Sequence, residues 1–253
     1  MLELNEKQII IYFEKHLRKL GVRKNDNLVI HSNLASVGVY HKNLPSIFLT
    51  VLSKIIGKKG TFALPLYNYE LRKKKIINMD VDYSLKQNSI LSKQFFKKFK
   101  YSRTSSIFHS HLINGKLSKM FLKNNNLNSF GKNSDFNLFY KNNFKLLLLG
   151  CDASQGATYI HHVEDKFLTS YREIKKFKFT IKKKNKLIKT ILTCKVRKKN
   201  VYQNLNKIFF LPEIKKITKT DKLKFGKSYI LKIRALDNLC TNIFKKKPNI
   251  INI

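Results

Sequence analysis

The sequence predicts an α/β fold, a single mixed-sheet domain with helices on both sides of the sheet and a late antiparallel hairpin. Short apolar runs typical of buried strands alternate with longer segments whose apolar residues recur every three or four positions, as on amphipathic helices. After Tyr171 the pattern changes to two alternating segments around a lysine-rich turn, which indicates a hairpin. No repeat or linker divides the chain, so we expect one domain over residues 1–253, with its polar motifs in 28–175 and an antiparallel portion in 176–253.

The individual elements follow from the same periodicities. Residues 5–20 predict a helix, because Ile9, Phe13 and Leu17 share one face and Gly21 follows as a terminator. Further helices are predicted at 45–56 (opened by Pro45), 89–99, 134–140, from 158 onwards, at 202–210 and at the C-terminus. Strands are predicted at 27–30, 61–66, 112–113, 144–149, 177–181, 187–192 and 229–233.

The charge of the chain is strongly positive. Of its 253 residues, 52 are basic and 15 are acidic, which gives a formal net charge of +37. Such an excess is typical of proteins that bind polyanions. However, 45 of the basic residues are Lys and only 7 are Arg, whereas surfaces that read bases favour the bidentate fork of Arg. We therefore attribute most of the charge to the coding bias of an AT-rich gene and do not expect a nucleic-acid partner.

The compartment is predicted to be the cytoplasm. No apolar run reaches the roughly 18 residues that suggest a membrane span, and the acidic, polar start differs from a secretory signal. Cys151, Cys194 and Cys240 are widely spaced and odd in number, which favours reduced thiols over a disulfide framework. The sequence leaves a homo-oligomer open.

The most informative stretch follows the apolar run 146–149. On a helix, His161 and Glu164 are three residues apart and share one face. A histidine oriented by a carboxylate is a suitable general base, and the hydroxyl of Thr158, three residues earlier, could support a developing oxyanion. Helix N-capping is the plainer interpretation of Thr158. His162 points about 100° away around the helix and is expected to be structural.

Several segments resemble, in chain order, motifs of the aminoglycoside 3-N-acetyltransferase family. The histidine motif is Thr158-x-x-His161-x-x-Glu164, followed by Tyr171-Arg172. The other matches are a first-strand loop, a second strand with its turn, a central His-Ser segment and a Phe-Gly-x-x-Ser turn, at 31–38, 60–65, 109–115 and 130–134. Together the matches cover about residues 5–175, and the last third of the chain matches only around 225–228.

The resemblance implies an acyltransferase that moves an acetyl group from acetyl-coenzyme A to an amino group by direct attack in a ternary complex. His161 would be the base, Glu164 would orient it, and Thr158 would assist. The small-molecule acceptor would be an amino sugar or an aminoglycoside-like amine, and the net charge favours an anionic one. The residues expected to contact the cofactor are Ser32, Asn33, Leu34, Ser36, Gly38, His109 and Ser110.

Three alternatives remain open. The chain could be a catalytically idle member of the fold that binds a polyanion such as nucleic acid. A zinc site could draw on His109, His111, His161, His162, Cys151 and Asp152, although no Cys-x-x-Cys or His-Glu-x-x-His pairing supports one, and we predict no metal. A Ser or Cys nucleophile is disfavoured because the sequence has no Gly-x-Ser-x-Gly elbow.

Overall fold

The computed structural model describes residues 2–78, 87–98, 102–183 and 186–253. In chain order its elements are β1 (Leu2–Glu3), α1 (Glu6–Lys19), β2 (Asn27–Ser32), β3 (Val39–Tyr40), α2 (Leu44–Ile56), β4 (Thr61–Tyr67), β5 (Ile76–Asn78), α3 (Ile90–Lys98), β6 (His109–Gly115), α4 (Ser118–Lys123), α5 (Asp135–Lys141), β7 (Lys145–Leu149), α6 (Ala153–Gly156), α7 (Tyr159–Glu164), β8 (Arg172–Lys183), β9 (Lys186–Arg197), α8 (Asn206–Phe209), α9 (Pro212–Ile217), β10 (Lys219–Leu223), β11 (Gly226–Lys232) and α10 (Ile233–Lys246). Short 3₁₀ helices lie at Leu34–Val37 and Tyr69–Lys73.

The central sheet has six strands in the order β10-β11-β7-β2-β4-β6. β7, β2 and β4 are parallel, and the remaining strands pair antiparallel to their neighbours. The carboxyl ends of parallel strands meet at one edge of a sheet, and polar loops there are the usual site of ligand binding in α/β proteins. The loops after β2, β4 and β7 therefore converge where the sequence places its polar motifs.

Helices cover both faces of this sheet, as predicted. Alternation along β2 sends Leu28 and Ile30 into one apolar cluster and Val29 into the other. The first cluster packs against α1, α2 and α3, and the second against α5, α7 and α10. Large side chains such as Phe13 and Phe139 are fully buried, and each such burial stabilises the fold by about 1.5–3 kcal/mol.

The predicted late hairpin is present and is longer than expected. β8 and β9 pair antiparallel along their whole length, and β5 adds parallel to β8, which forms a separate three-stranded sheet. A third apolar cluster, which includes Leu71, Phe108 and Phe179, lies under this sheet. The middle of the predicted turn, residues 184 and 185, lies outside the described residues.

The remaining differences concern element ends. The helix predicted at 202–210 spans only Asn206–Phe209, because Pro212 opens a new helix, α9. The strand predicted at 229–233 begins at Gly226, and Ile233 already belongs to α10. The helix predicted at 89–99 spans Ile90–Lys98, and Phe99 lies outside the described residues. Within the part of the chain that the structure describes, every helix is too short or too polar to cross a membrane.

Candidate active site

Two glycines bring the start of α7 to the carboxyl ends of β2 and β7. Gly150 follows β7 with a φ of +67°, and a Cβ there would lie 2.7 Å from the carbonyl oxygen of Asn33. At Gly156 a Cβ would lie 2.6 Å from Leu148 and 3.0 Å from His31. Only glycine permits both close approaches, so the loop after β7 and the short helix α6 pack directly on the strand ends. The polar motif that follows is therefore fixed beside the loop after β2.

His161, Glu164 and Arg172 form one hydrogen-bonded group. His161 Nδ1 lies 2.7 Å from Glu164 Oε2. Arg172, the first residue of β8, donates from Nε to Glu164 Oε1 at 2.5 Å and from Nη2 to Oε2 at 2.7 Å. The Glu164 side chain is entirely buried, whereas 21% of the His161 side chain is exposed. The carboxylate therefore lies behind the imidazole and the imidazole lies at the surface of the site.

Glu164 and Arg172 are both ionised at neutral pH. Burial raises the pKa of Glu164, but its hydrogen bonds with His161 and Arg172 outweigh burial and hold the pKa at about 2. Burial lowers the pKa of Arg172, and the bond to Glu164 more than restores it. Because an ionised carboxylate only accepts hydrogen bonds, we assign the proton of neutral His161 to Nδ1. The Nε2 atom then remains a proton acceptor.

His161 lines a cavity of about 540 Å³ between α7 and the hairpin. Its polar walls come from two segments that are far apart in the sequence. Tyr69 and Arg72 follow β4, and Lys195 and Arg197 lie at the end of β9. This volume is within the usual range for a small-molecule site. The hairpin predicted from sequence thus contributes one wall of the site.

A second histidine, His109, lies in the wall of the same cavity as His161. His109 Nε2 is 3.0 Å from the Tyr69 hydroxyl and His109 Nδ1 is 2.8 Å from Ser129 Oγ. Burial, and secondarily His161 nearby, lowers the pKa of His109 well below its ordinary range. His109 is therefore a neutral, hydrogen-bonded wall of the cavity.

A buried chain of hydrogen bonds leads from β6 towards the start of α7. His111 Nδ1 lies 2.9 Å from Asp135 Oδ2, and His111 Nε2 lies 3.4 Å from the Tyr67 hydroxyl. Burial raises the pKa of Tyr67 well above its usual value, and a hydrogen bond with Thr158 opposes that rise. Thr158 is buried and its side chain makes no capping hydrogen bond to α7. The plainer capping interpretation is thus wrong, and the threonine hydroxyl instead adjoins Tyr67.

A second, narrower cavity of about 200 Å³ has Tyr67 in its wall. It is lined by His31 and Ser32 at the end of β2 and by neutral polar side chains, among them Ser89 and Gln155. Ser32 Oγ lies 3.2 Å from Ser89 Oγ. Burial lowers the pKa of His31 to about 3, so this cavity is polar and uncharged at neutral pH.

The other predicted loop residues shape the loop after β2. Asn33 accepts a hydrogen bond from the backbone of Ala35, Leu34 lies in the apolar core, and Ser36 is buried. Gly38 ends the 3₁₀ turn with a φ of +75°. Ser32 is the member of this predicted set whose side chain lines the narrow cavity, and the side chain of Leu34 packs away from both cavities.

The two predicted residues of the central segment differ in their surroundings. His109 lines the large cavity. Ser110 is fully buried, donates to the carbonyl oxygen of Leu66 at 2.7 Å and accepts from Arg103 Nε at 3.1 Å. Its hydroxyl is therefore occupied within the protein.

A Ser-His-Asp arrangement occurs away from these cavities. His16 Nδ1 lies 2.8 Å from Asp221 Oδ2, and His16 Nε2 lies 2.9 Å from Ser228 Oγ. Ser228 is fully buried, so its hydroxyl cannot meet a substrate, and the group connects α1 to the β10–β11 pair. Burial also raises the pKa of the Cys151 thiol to about 12, which makes it a poor nucleophile. Among the described residues, no cluster of three or more His, Cys, Asp or Glu side chains could hold a metal ion.

Arg172, Tyr67 and Lys195 were not predicted as site residues. The family-like pair Tyr171-Arg172 was the available signal for Arg172. Lys195 donates to the carbonyl oxygens of Asp165 and Phe167 at 2.6 and 3.2 Å and so connects β9 to the end of α7. No local pattern indicates such a long-range contact.

Several solved structures share this fold over nearly the whole chain. The YokD protein from Bacillus subtilis is 18% identical, with a TM-score of 0.77 over 95% of this chain and 99% of that one. AAC-IIIb, in a binary structure with CoASH, is 14% identical with a TM-score of 0.75, over 97% and 98% of the two chains. AAC-VIa bound to sisomicin is 13% identical with a TM-score of 0.73, over 97% and 99%. These identities establish the fold alone.

Family membership follows from the sequence rather than from the shared fold. No curated protein matches it significantly. The family model for aminoglycoside 3-N-acetyltransferase, however, matches residues 29–245, which include both cavities and the His161 group. The family is one of acyltransferases, and the resemblance inferred from the motifs is confirmed. The chain belongs to the aminoglycoside 3-N-acetyltransferase family.

Proposed function

We propose that the protein transfers the acetyl group of acetyl-coenzyme A to an amino group of an amino sugar or aminoglycoside-like acceptor, by direct attack in a ternary complex. Family membership supports acetyl transfer. A relative of the same fold has been solved with CoASH and another with sisomicin, an aminoglycoside. We further propose that residues 1–253 act as one domain, because the hairpin and α7 line the same cavity.

One observation carries the proposal. His161 is exposed to the large cavity, and the buried Glu164 carboxylate holds its Nδ1 at 2.7 Å. This arrangement leaves Nε2 free to accept a proton from a group bound in the cavity. Arg172 fixes Glu164 with two hydrogen bonds, so turning the carboxylate away would break an ion pair, and turning the ring away would break its hydrogen bond to Glu164.

The chemistry requires a proton acceptor because most amines are protonated at neutral pH. The acceptor nitrogen forms a bond to the acetyl carbon while the bond between that carbon and sulfur breaks. A protonated amine first loses one proton to solvent; the proton that the attacking nitrogen loses passes to His161 Nε2, and the imidazolium returns it to the sulfur, which leaves as a thiol. Glu164 stabilises the imidazolium that forms, because an anion lies 2.7 Å from its Nδ1.

Thr158 lies beside Tyr67, which lines the narrow cavity and whose ring centroid is 4.8 Å from that of His109 in the wall of the large cavity. Both hydroxyls are buried and adjoin each other, and His111 holds the tyrosine from behind. A hydroxyl donor there would stabilise negative charge developing on the acetyl oxygen. We propose this role for Thr158, with Tyr67 positioning it.

The narrow cavity fits the arm of coenzyme A. An arm that carries amides needs hydroxyl and amide partners and no strong charge, and the cavity is lined by Ser32, Ser89 and Gln155 beside a neutral His31. We propose that these residues bind the arm and direct the thioester towards Thr158.

A free-thiol release assay with acetyl-coenzyme A tests the function. We expect thiol release that depends on an added amine, across a panel of amino sugars and aminoglycosides, with an acetylated amine identified by mass spectrometry. Initial rates at several concentrations of both substrates should give intersecting lines, as a ternary complex requires. Parallel lines, or an acetylated enzyme, would contradict direct transfer.

The assay also distinguishes an acetyltransferase from the alternative, a catalytically idle member of the fold that binds a polyanion. That alternative predicts no thiol release with any amine and binding to nucleic acid that weakens steeply with salt. Amine-dependent turnover together with weak nucleic-acid binding supports the acetyltransferase.

A further inference from the structure

The large cavity beside His161 is strongly cationic. Its lining includes Arg72, Arg172, Lys195, Arg197, Lys198 and Lys199, and among the described residues no carboxylate lines it. Glu164 lies behind His161 and is fully buried, with both oxygens bonded to Arg172. Asp165 lines the neighbouring cavity instead, and burial raises its pKa.

General coding bias does not account for this lining. The chain has 45 Lys and only 7 Arg, so the bias that produced its charge favours lysine. Nevertheless three of the seven arginines line this one cavity, against three of the 45 lysines. Arginine carries a planar fork of donors that matches phosphate oxygens, which a lysine ammonium does not. The placement of arginine therefore indicates anion binding at this site.

Two of the three arginines in this lining, Arg72 and Arg197, can still pair with an anionic ligand. Arg172 is engaged with Glu164, but Arg72 lies over the rings of Tyr69 and Phe108, at 5.1 and 5.9 Å from their centroids. Among the described residues, neither Arg72 nor Arg197 has an ion pair with a carboxylate. Both side chains are exposed at the cavity wall. Their guanidinium groups are available to a ligand.

The acceptor, rather than the cofactor, is the better source of that anion. The cavity proposed for the coenzyme A arm, around Ser32, shares no lining residue with the cationic one. His161, the proposed base, lines the cationic cavity. A polycationic acceptor would meet at least five uncompensated positive charges there, which is unfavourable over the few ångströms involved even at physiological salt.

We propose that this cavity binds the phosphate of a phosphorylated amino sugar and presents the sugar's amine to His161. The inference rests on the proposed function, because it assumes that His161 meets the acceptor amine. Arg72 and Arg197 hold the phosphate, and the aromatic side chains of Tyr69 and Phe130, which line the same cavity, pack against the sugar. The acceptor specificity of this chain then differs from that of relatives solved with aminoglycosides.

Calorimetric titration of the full chain with glucosamine 6-phosphate, glucosamine, kanamycin and acetyl-coenzyme A tests the proposal. We expect glucosamine 6-phosphate to bind at least tenfold more tightly than glucosamine or kanamycin. Arg197→Ala should weaken the phosphate sugar about tenfold, the usual effect of one charge-assisted hydrogen bond, and Arg197→Lys should restore part of that loss. Neither change should alter the affinity for acetyl-coenzyme A.

Lys58→Ala is the matched control. It removes one positive charge from an exposed turn at the opposite, amino end of β4, so any effect of net charge alone would appear there too. Equal weakening by Lys58→Ala and Arg197→Ala would overturn the proposal. So would tighter binding of kanamycin than of glucosamine 6-phosphate, or a loss confined to acetyl-coenzyme A, which would assign the cations to the cofactor phosphates.

Turnover measured in the same samples keeps the two proposals apart. Selective binding of the phosphate sugar without thiol release from any amine would refute the proposed function and leave this site standing. Thiol release with glucosamine and kanamycin that a phosphate does not improve would support the function and refute this site.

Discussion

Glu164→Gln separates the charge of the site's buried carboxylate from its shape. The variant keeps the length of the side chain but leaves the guanidinium of Arg172 without a counter-ion. The pKa of Glu164 falls from an ordinary 4.5 to about 2 in the folded protein. Since one pKa unit corresponds to 1.36 kcal/mol, the charge contributes about 3 kcal/mol of stability at pH 7. Loss of one partner of other buried ion pairs costs roughly 3–5 kcal/mol, which agrees.

Urea unfolding of the wild type and the variant measures this contribution. A lowered carboxyl pKa stabilises the folded state above pH 4.5, and the effect disappears as pH falls through about 2. The difference between the two proteins should therefore be largest at pH 5–7 and about half as large at pH 3. For a chain of this size, 3 kcal/mol corresponds to a loss of roughly 6 °C in melting temperature.

Glu14→Gln is the control for this prediction. Glu14 forms an exposed ion pair with Lys54 at 2.8 Å, so its removal should have a much smaller effect. A difference for Glu164→Gln that is below about 1 kcal/mol, or that is the same at pH 7 and pH 3, would refute the electrostatic account of the site.

Three further predictions concern the fold and the cofactor. The pKa values of His31 and His162 in the folded protein, about 3 and about 4, lie below the ordinary 6.5, so the unfolded chain binds protons first as pH falls. Urea unfolding should therefore show a loss of roughly 2–3 kcal/mol in the free energy of unfolding for each histidine between pH 7 and 4.5. Unchanged stability over that range would contradict their burial as neutral groups. Gly150→Ala, whose Cβ would meet Asn33, should cost more than about 2 kcal/mol, whereas Gly131→Ala, at a similar φ of +85° with open space around it, should cost only about 1 kcal/mol; equal costs in urea unfolding would show that the close approach at Gly150 does not matter. Acetyl-coenzyme A at 100 times its dissociation constant should stabilise the protein by about 2.7 kcal/mol and raise its melting temperature, and calorimetry that finds no binding at millimolar cofactor would contradict the proposed function.

The central strands and main helices could be predicted because their apolar patterns are set by burial. The run at 146–149 and the strand at 61–67 are buried on both faces and give continuous apolar stretches. β10 gave no such signal, because its sequence Lys-Thr-Asp-Lys-Leu is mostly exposed at the edge of the sheet. The outer ends of β8 and β9, residues 172–176 and 193–197, were missed for a similar reason, since their mostly charged or polar side chains are exposed or half-buried and show no regular apolar alternation.

The site was predictable where its parts are close in sequence. His161 and Glu164 share one helical face at a spacing of three, and the structure places their atoms within hydrogen-bonding distance. The contribution of Lys195 depends on how the hairpin folds back over α7, which no local pattern encodes, and Arg172 was indicated only by the family-like pair Tyr171-Arg172. For Leu34, the loop pattern did not distinguish a residue that lines a cavity from one that closes the core.

The turnover of His161→Ala tests the central claim most directly. With both substrates saturating, we expect kcat to fall by roughly 10²–10⁴-fold, the usual contribution of a positioned base, with the dissociation constant of acetyl-coenzyme A unchanged. His41→Ala, which removes a histidine from the loop before α2 that lines neither cavity, should keep wild-type turnover. A kcat for His161→Ala within about threefold of the wild type, on an acceptor that the wild type acetylates, would show that His161 is not the base.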